Sequence, residues 1–239
     1  METLHKSIIS SKEQTDLCTA KKQERLMICL ALIAGFIDAY GFLHFKTYLS
    51  FMSGNTTQTG FSLGQVKLAI ALTSFVAILF FVIGVFTGSV LSKFSWYKSR
   101  WAPFIVVASI LTLYGGATFF FTINSYCSVG ILSFSMGYMN TILSHIGKQS
   151  VNPDFVTGTL NNIAQHFASI VKGMPLPDSQ GVWDSHQRRA IVLLVVWFSF
   201  LAGACFCVMA TSWLGKWNLA FPVALLLISP LLSSGKRSL

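Results

Sequence analysis

Phe51-Met52-Ser53-Gly54-Asn55-Thr56 and Phe155-Val156-Thr157-Gly158-Thr159-Leu160 are two copies of one segment. Upstream of the first copy, Gly35-Phe36-Ile37-Asp38-Ala39 returns before the second as Gly137-Tyr138-Met139-Asn140-Thr141. Gly35 therefore pairs with Gly137, Asp38 with Asn140 and Gly54 with Gly158. Downstream, Gly84 pairs with Gly203 and Pro103 with Pro222, both 119 positions apart. The chain reads as a duplicated unit, with a polar, uncharged, glycine-containing segment in each half. In membrane proteins such a duplication, broken at matching points, indicates a transport site.

Long apolar runs surround the two segments, near 26–45, 66–92, 102–122, 126–146, 188–213 and 217–234. Each approaches or exceeds the ~20 residues that carry a helix across a bilayer. Only 10% of residues are charged, against roughly 25% in a soluble domain, and the mean hydropathy is +0.63. Backbone polar groups in hydrocarbon need partners within their own segment, so these runs are helices. The expected fold is an all-α integral membrane protein of six transmembrane helices. Three spans per half is an odd number, so the second half sits upside down. This is a 3+3 inverted-topology repeat, with a short half-helix after the first span of each half. The divisions are a polar tail 1–25, a first repeat 26–125, a second repeat 126–235 carrying an insertion at 173–187, and a basic tail 236–239. Gly173, Pro175, Pro177 and Gly181 mark the insertion as a loop on the cytoplasmic side.

The net charge of +9 follows topology. Lys6, Lys12, Lys21, Lys22 and Arg25 precede the first span, and Lys93, Lys98 and Arg100 join spans two and three. Lys148, Lys172, Arg188 and Arg189 lie between spans four and five, and Lys236 and Arg237 follow span six. Only Lys46, Lys67 and Lys216 fall on the other side. The positive-inside rule then places both termini in the cytoplasm. A basic excess spent on topology gives no reason to expect nucleic acid as a partner. No cleavable signal is recognisable, and the tail before residue 25 reads as disordered or loosely helical.

Asp38 is the one acidic residue inside an expected span. A charge at that depth costs at least about 2.5–3.5 kcal/mol, so it requires a partner or water. It either couples transport to an ion or accepts hydrogen bonds from a neighbouring half-helix. Asn140 at the matching position is neutral, so an ion site would be asymmetric. Ser53, Gly54, Asn55, Thr56, Thr157, Gly158 and Thr159 are the candidate substrate-binding residues. Ser53 and Thr157 have good N-cap chemistry, and helix N-termini offer unpaired N–H groups to a small anion or carboxylate. Packing of Gly54 and Gly158 against other helices is the competing reading.

Asp154, after Asn152-Pro153, reads as a turn or cap at the cytoplasmic entrance, and a gate contact with Lys148 or Arg188 is the alternative, for which the sequence gives no support. His44 and His145 read as polar anchors at opposite membrane edges, and His166 as the histidine placed for a proton relay. Trp96, Trp101, Trp183, Trp213 and Trp217 read as interfacial aromatics. Gly115-Gly116 is expected to loosen span three. Gly84 and Gly88 form a GxxxG face for close helix crossing, between the halves or between protomers, which makes a homodimer a candidate assembly. The cysteines Cys18, Cys29, Cys127, Cys205 and Cys207 show no metal-ligand spacing.

The expected function is a secondary transporter or facilitator of a small polar or anionic solute. The alternatives are a passive channel, or a membrane scaffold or sensor without transport. No HExxH or GxSxG motif points to an enzyme, and no cofactor or metal is expected. The expected partners are the lipid bilayer and the solute.

Gly35-Phe36-Ile37-Asp38-Ala39-Tyr40-Gly41-Phe42, Phe51-Met52-Ser53-Gly54-Asn55-Thr56 and Phe155-Val156-Thr157-Gly158-Thr159-Leu160 resemble the YoaK-like family of uncharacterised bacterial membrane proteins. The resemblance covers roughly residues 25–235, and Met52–Thr56 is its most specific part. It implies about six helices in a bacterial cytoplasmic (inner) membrane. It carries no activity.

Overall fold

The computed structural model describes residues 2–94, 97 and 99–232, with side chains from residue 13 onward. Trp96, Lys98, the basic tail 236–239 and the side chains of Lys6 and Lys12 lie outside the described residues. The first half contains α1 (Glu2–Phe45), α2 (Met52–Gly64), α3 (Leu68–Leu91) and α4 (Ala102–Phe120). The second contains α5 (Ser125–Met139), a two-stranded antiparallel hairpin of β1 (His145–Ile146) and β2 (Gln149–Ser150), α6 (Val156–Val171), α7 (His186–Leu214) and α8 (Ala220–Ile228).

Among the described residues, four helices are long and apolar enough to cross a membrane: Glu13–Phe45, Leu68–Leu91, Ala102–Phe120 and His186–Trp217. Six were expected. The fourth expected span is α5, of 15 residues, which at 1.5 Å per residue covers about 22 Å of a ~30 Å hydrocarbon core. It stops at Asn140, and the chain then turns into the hairpin instead of staying helical to residue 146. The sixth expected span is α8, of 9 residues, prolonged by a 3-10 turn over Ser229–Leu231. Pro230 lacks the N–H that would continue the α-helix. Of the two forms expected for the polar tail, the helical one is observed, continuing α1 from Glu2. The expected loosening of span three does not interrupt α4, which runs unbroken through Gly115-Gly116.

α3 turns small residues inward and large apolar ones outward. α3 buries Ala71, Ser74, Ala77, Gly84 and Gly88 and exposes Phe75, Val82 and Phe86. This pattern suits association in lipid, where close backbone approach and not apolar burial holds helices together.

The packing partners exchange between the halves. α1 packs mainly on α7, and its counterpart α5 packs mainly on α3; α2 lies on α3 as α6 lies on α7; α4 meets its own counterpart α8. Glycines make both main crossings. A Cβ on Gly35 would lie 2.0 Å from the Phe200 carbonyl oxygen, and one on Gly203 would lie 2.0 Å from that of Leu32. In the other crossing, a Cβ on Gly137 would lie 2.1 Å from the Phe81 oxygen, and one on Gly84 would lie 2.2 Å from that of Phe134. Leu32 and Phe134 are 102 positions apart, as are Gly35 and Gly137. Only glycine admits backbones this close. The GxxxG face of α3 is therefore used inside the chain, with Gly84 on α5 and Gly88 against Thr141.

Candidate functional site

Each half-helix begins from the same turn. Phe51 (φ −80°, ψ 75°) and Phe155 (φ −87°, ψ 68°) precede α2 and α6. Met52 N–H donates to Ser50 O at 2.9 Å, and Val156 N–H donates to Asp154 O at 3.0 Å. These are inverse γ-turns, whose central residue sits near φ −75°, ψ +65°. Neither helix has a side-chain cap, so the capping expected of Ser53 and Thr157 is not observed; both lie inside the first turn. The glycines serve the turns. A Cβ on Gly54 would lie 2.3 Å from the Phe51 ring, and one on Gly158 would lie 2.1 Å from the Phe155 ring.

The two turns meet across a cavity of about 180 Å³, lined by Ser50–Ser53 and Phe81 from the first half and by Asn140, Asn152 and Asp154–Thr157 from the second. Of the expected site residues, Ser53, Thr157 and Asn140 line this cavity. Gly54, Asn55, Thr56, Gly158 and Thr159 do not. Asn55 is buried and donates through Nδ2 to Tyr48 O at 2.7 Å. Thr56 and Thr159 bond back to the carbonyls of Met52 and Phe155 within their own helices.

Asp38 stands behind the first turn. Its Oδ1 accepts from Leu49 N–H at 2.7 Å and from Ser50 N–H at 2.8 Å. The carboxylate thereby fixes the strand of chain that leads into α2, which favours the hydrogen-bonding reading of this residue. The second half inverts the arrangement. Asn140 replaces Asp38 on the helix, and Asp154 replaces Ser50 in the turn. Asp154 is buried, and it lines the cavity together with Asn140. Asp154 is therefore a buried turn residue bordering the cavity, and no ion pair joins it to Lys148 or Arg188 among the described residues.

The Asn140 Oδ1 atom is buried beside the cavity without a hydrogen-bond partner, as is Asn55 Oδ1. Buried polar atoms are ordinarily satisfied, so Asn140 presents an acceptor to whatever occupies the space. The histidines fall elsewhere. His44 rests on the Tyr40 ring and His145 Nδ1 bonds to Ser144 at 2.9 Å. His166 Nδ1 meets His186 Nδ1 at 2.8 Å, with Gln149 on its other nitrogen at 3.1 Å. No cluster of three or more metal-ligating side chains exists among the described residues.

Fold and site together define an α-helical membrane protein whose two related halves face each other across a small polar cavity. The chain belongs to the family described as a protein of unknown function, DUF1275, whose model matches residues 26–232. That description assigns no activity and does not carry the YoaK-like label. No curated protein and no solved structure matches the chain.

Proposed function

We propose that this protein is a secondary transporter or facilitator of a small polar solute, which binds between the N-terminal turns of α2 and α6. The carrying observation is the cavity itself: two copies of one segment, from opposite halves, enclose a space that holds Asp154 and an unpartnered Asn140 oxygen. The duplication is read as inverted in the membrane, with α5 and α8 completing the 3+3 arrangement as shortened spans. Both termini then face the cytoplasm of a bacterial inner membrane. The exchanged pairing of α1 with α7 and α5 with α3 supports a pseudo-twofold relation between the halves, and an odd number of spans per half is what makes it an inverted one. Ser53, Thr157 and Asn140 contact the solute, Asp154 recognises a donor on it, and Asp38 holds the first turn in place. A carboxylate in the cavity disfavours an anion that enters without a proton. The reading involves no enzymatic step and no cofactor.

The test is thermal unfolding of the purified protein against amino acids, amines, sugars, nucleobases and inorganic ions, followed by flux of any stabilising solute into proteoliposomes. A ligand at 100 times its dissociation constant adds about 2.7 kcal/mol. Stabilisation that disappears in folded Thr157→Val or Ser53→Ala variants, with saturable flux, is the expected result. A linear, unsaturable flux would make the protein a channel. Absence of both stabilisation and flux would leave a scaffold or sensor.

A further inference from the structure

Two more hollows lie at opposite ends of the bundle, separated along α1 by the stretch from Glu24 to His44, about 30 Å at helical rise. One is an open vestibule of about 880 Å³, with Lys46, Thr47, Gln58, Thr73 and Asn124 on its walls. The other is nearly filled, with about 20 Å³ left. The repeat makes them the same place in the two halves. Thr47 corresponds to Gln149, Ala69 to Arg188, Ile70 to Arg189, Thr73 to Val192 and Tyr126 to Glu24. What fills the second hollow is Gln180, Trp183 and Asp184. All three belong to the insertion 173–187, which has no counterpart in the first half.

The insertion is fastened by charge. Arg189, buried, donates from Nε and Nη2 to the two Asp184 carboxyl oxygens at 2.8 and 2.7 Å, and from Nη1 to Asp178 at 3.1 Å. Bidentate geometry of this kind is the strong form of an ion pair. Arg188 Nη2 donates to Glu24 on α1 at 2.6 Å, with its guanidinium 4.8 Å from the Trp183 ring centre. Burial works against ionisation of Asp184, but the Arg189 bonds and the Gln180 N–H outweigh it and hold the carboxyl below its usual range. The corresponding wall of the open vestibule has Ala69, Ile70 and Tyr126, which form no ion pairs.

We propose that residues 173–187 are an ion-paired gate over one of two equivalent access paths to the central cavity, here shut while the opposite path stands open. This rests on the transport reading, and with cytoplasmic termini the shut path is the cytoplasmic one. Opening requires release of Arg188 from Glu24 and withdrawal of Trp183 and Asp184 from between α1 and α7.

The experiment is cysteine accessibility in right-side-out and inverted vesicles, with a membrane-impermeant maleimide and Cys18, Cys127 and Cys205 replaced by serine. Thr73→Cys should label from outside, whereas Val192→Cys should be protected from both sides. Adding Arg189→Gln should raise cytoplasmic labelling of Val192→Cys at least tenfold and lower that of Thr73→Cys. Should Arg189→Gln not fold, Glu24→Gln opens the same path, and the swap Glu24→Arg with Arg188→Glu should restore protection. Labelling of Val192→Cys that is already high in the parent, or that neither charge variant changes, overturns the gate. Labelling needs no solute, so the expected pattern without any solute binding or flux would count against the transport reading and not against the gate.

Discussion

The two halves share their backbone plan and differ in where they carry charge. In the first half the carboxylate is on the spanning helix, where Asp38 accepts two backbone N–H bonds and is consumed in holding a turn. In the second half the helix position is neutral Asn140, and the carboxylate has moved into the turn as Asp154, bordering the cavity. The hollow in the first half is open, and the equivalent hollow in the second is filled by an insertion fastened with three ion pairs. Duplication supplied the geometry, and divergence assigned one acid to structure and the other to the cavity. Pseudosymmetry of backbone combined with asymmetry of charge is what a device with two inequivalent sides requires.

The largest effect should come from breaking what the halves share. Gly35→Ala and Gly137→Ala each drive a methyl group into a backbone carbonyl, at 2.0 and 2.1 Å. Backbone cannot rotate aside as a side chain can, so the helices must separate. Each should lose about 3 kcal/mol, the upper end for overpacking, seen as a lower unfolding midpoint in detergent. If one variant is tolerated while the other unfolds, the two crossings are not equivalent.

A smaller and opposite test separates the two acids. Asp38→Ala leaves the N–H groups of Leu49 and Ser50 buried and unpaired, at a cost of about 1–3 kcal/mol for such groups. Asp154→Asn keeps the shape of the side chain and should change stability by less than about 1 kcal/mol, while altering solute binding and flux. Unfolding curves and proteoliposome flux, measured on both variants, sort the roles. A stable Asp38→Ala or a fully active Asp154→Asn would erase the distinction between the halves.

How much of this was legible in the sequence depends on what each residue answers to. Gly35, Gly84, Gly137 and Gly203 revealed the repeat because close backbone approach admits no other residue, so the physical demand leaves a mark at one position. The break at each polar segment was legible for the same reason. Its cap was not. Ser53 and Thr157 have the right local chemistry, but the Phe51 and Phe155 rings, packed on glycine, set the helix start two residues earlier. Asn152-Pro153 signals an exposed turn, whereas in lipid an irregular segment can be buried by protein, as Asp154 is. One signal could have located it: the helix position that lost its acid, Asn140, lies in the half whose turn gained one. The short α5 and α8 escaped because hydropathy runs continue through residues 140–146 and 229–232 even where the α-helix has ended. The closed hollow depends on Arg189 meeting Asp178 and Asp184 after the insertion folds back, which no local pattern encodes.

The finest comparison lies inside the two turns. Gly54→Ala brings a methyl group 2.3 Å from the Phe51 ring, and Gly158→Ala brings one 2.1 Å from the Phe155 ring. A ring can move where a carbonyl cannot, so the clash costs less than at the crossings. Replacing glycine within a helix also gains about 1 kcal/mol of propensity. The single substitutions should therefore come out between neutral and about 1 kcal/mol destabilising. Removing the ring isolates the clash. In a Phe51→Ala background, Gly54→Ala should become stabilising by about 1 kcal/mol, giving a coupling within the 0.5–3 kcal/mol found for residues in contact. The cycle at Phe155 and Gly158 should return the same sign and size. Equal couplings would mean that the turns keep one stereochemistry despite the different acids beside them. Unequal couplings would place the divergence of the halves in the turn itself, and would move the search for specificity from Asp154 to the rings that frame it.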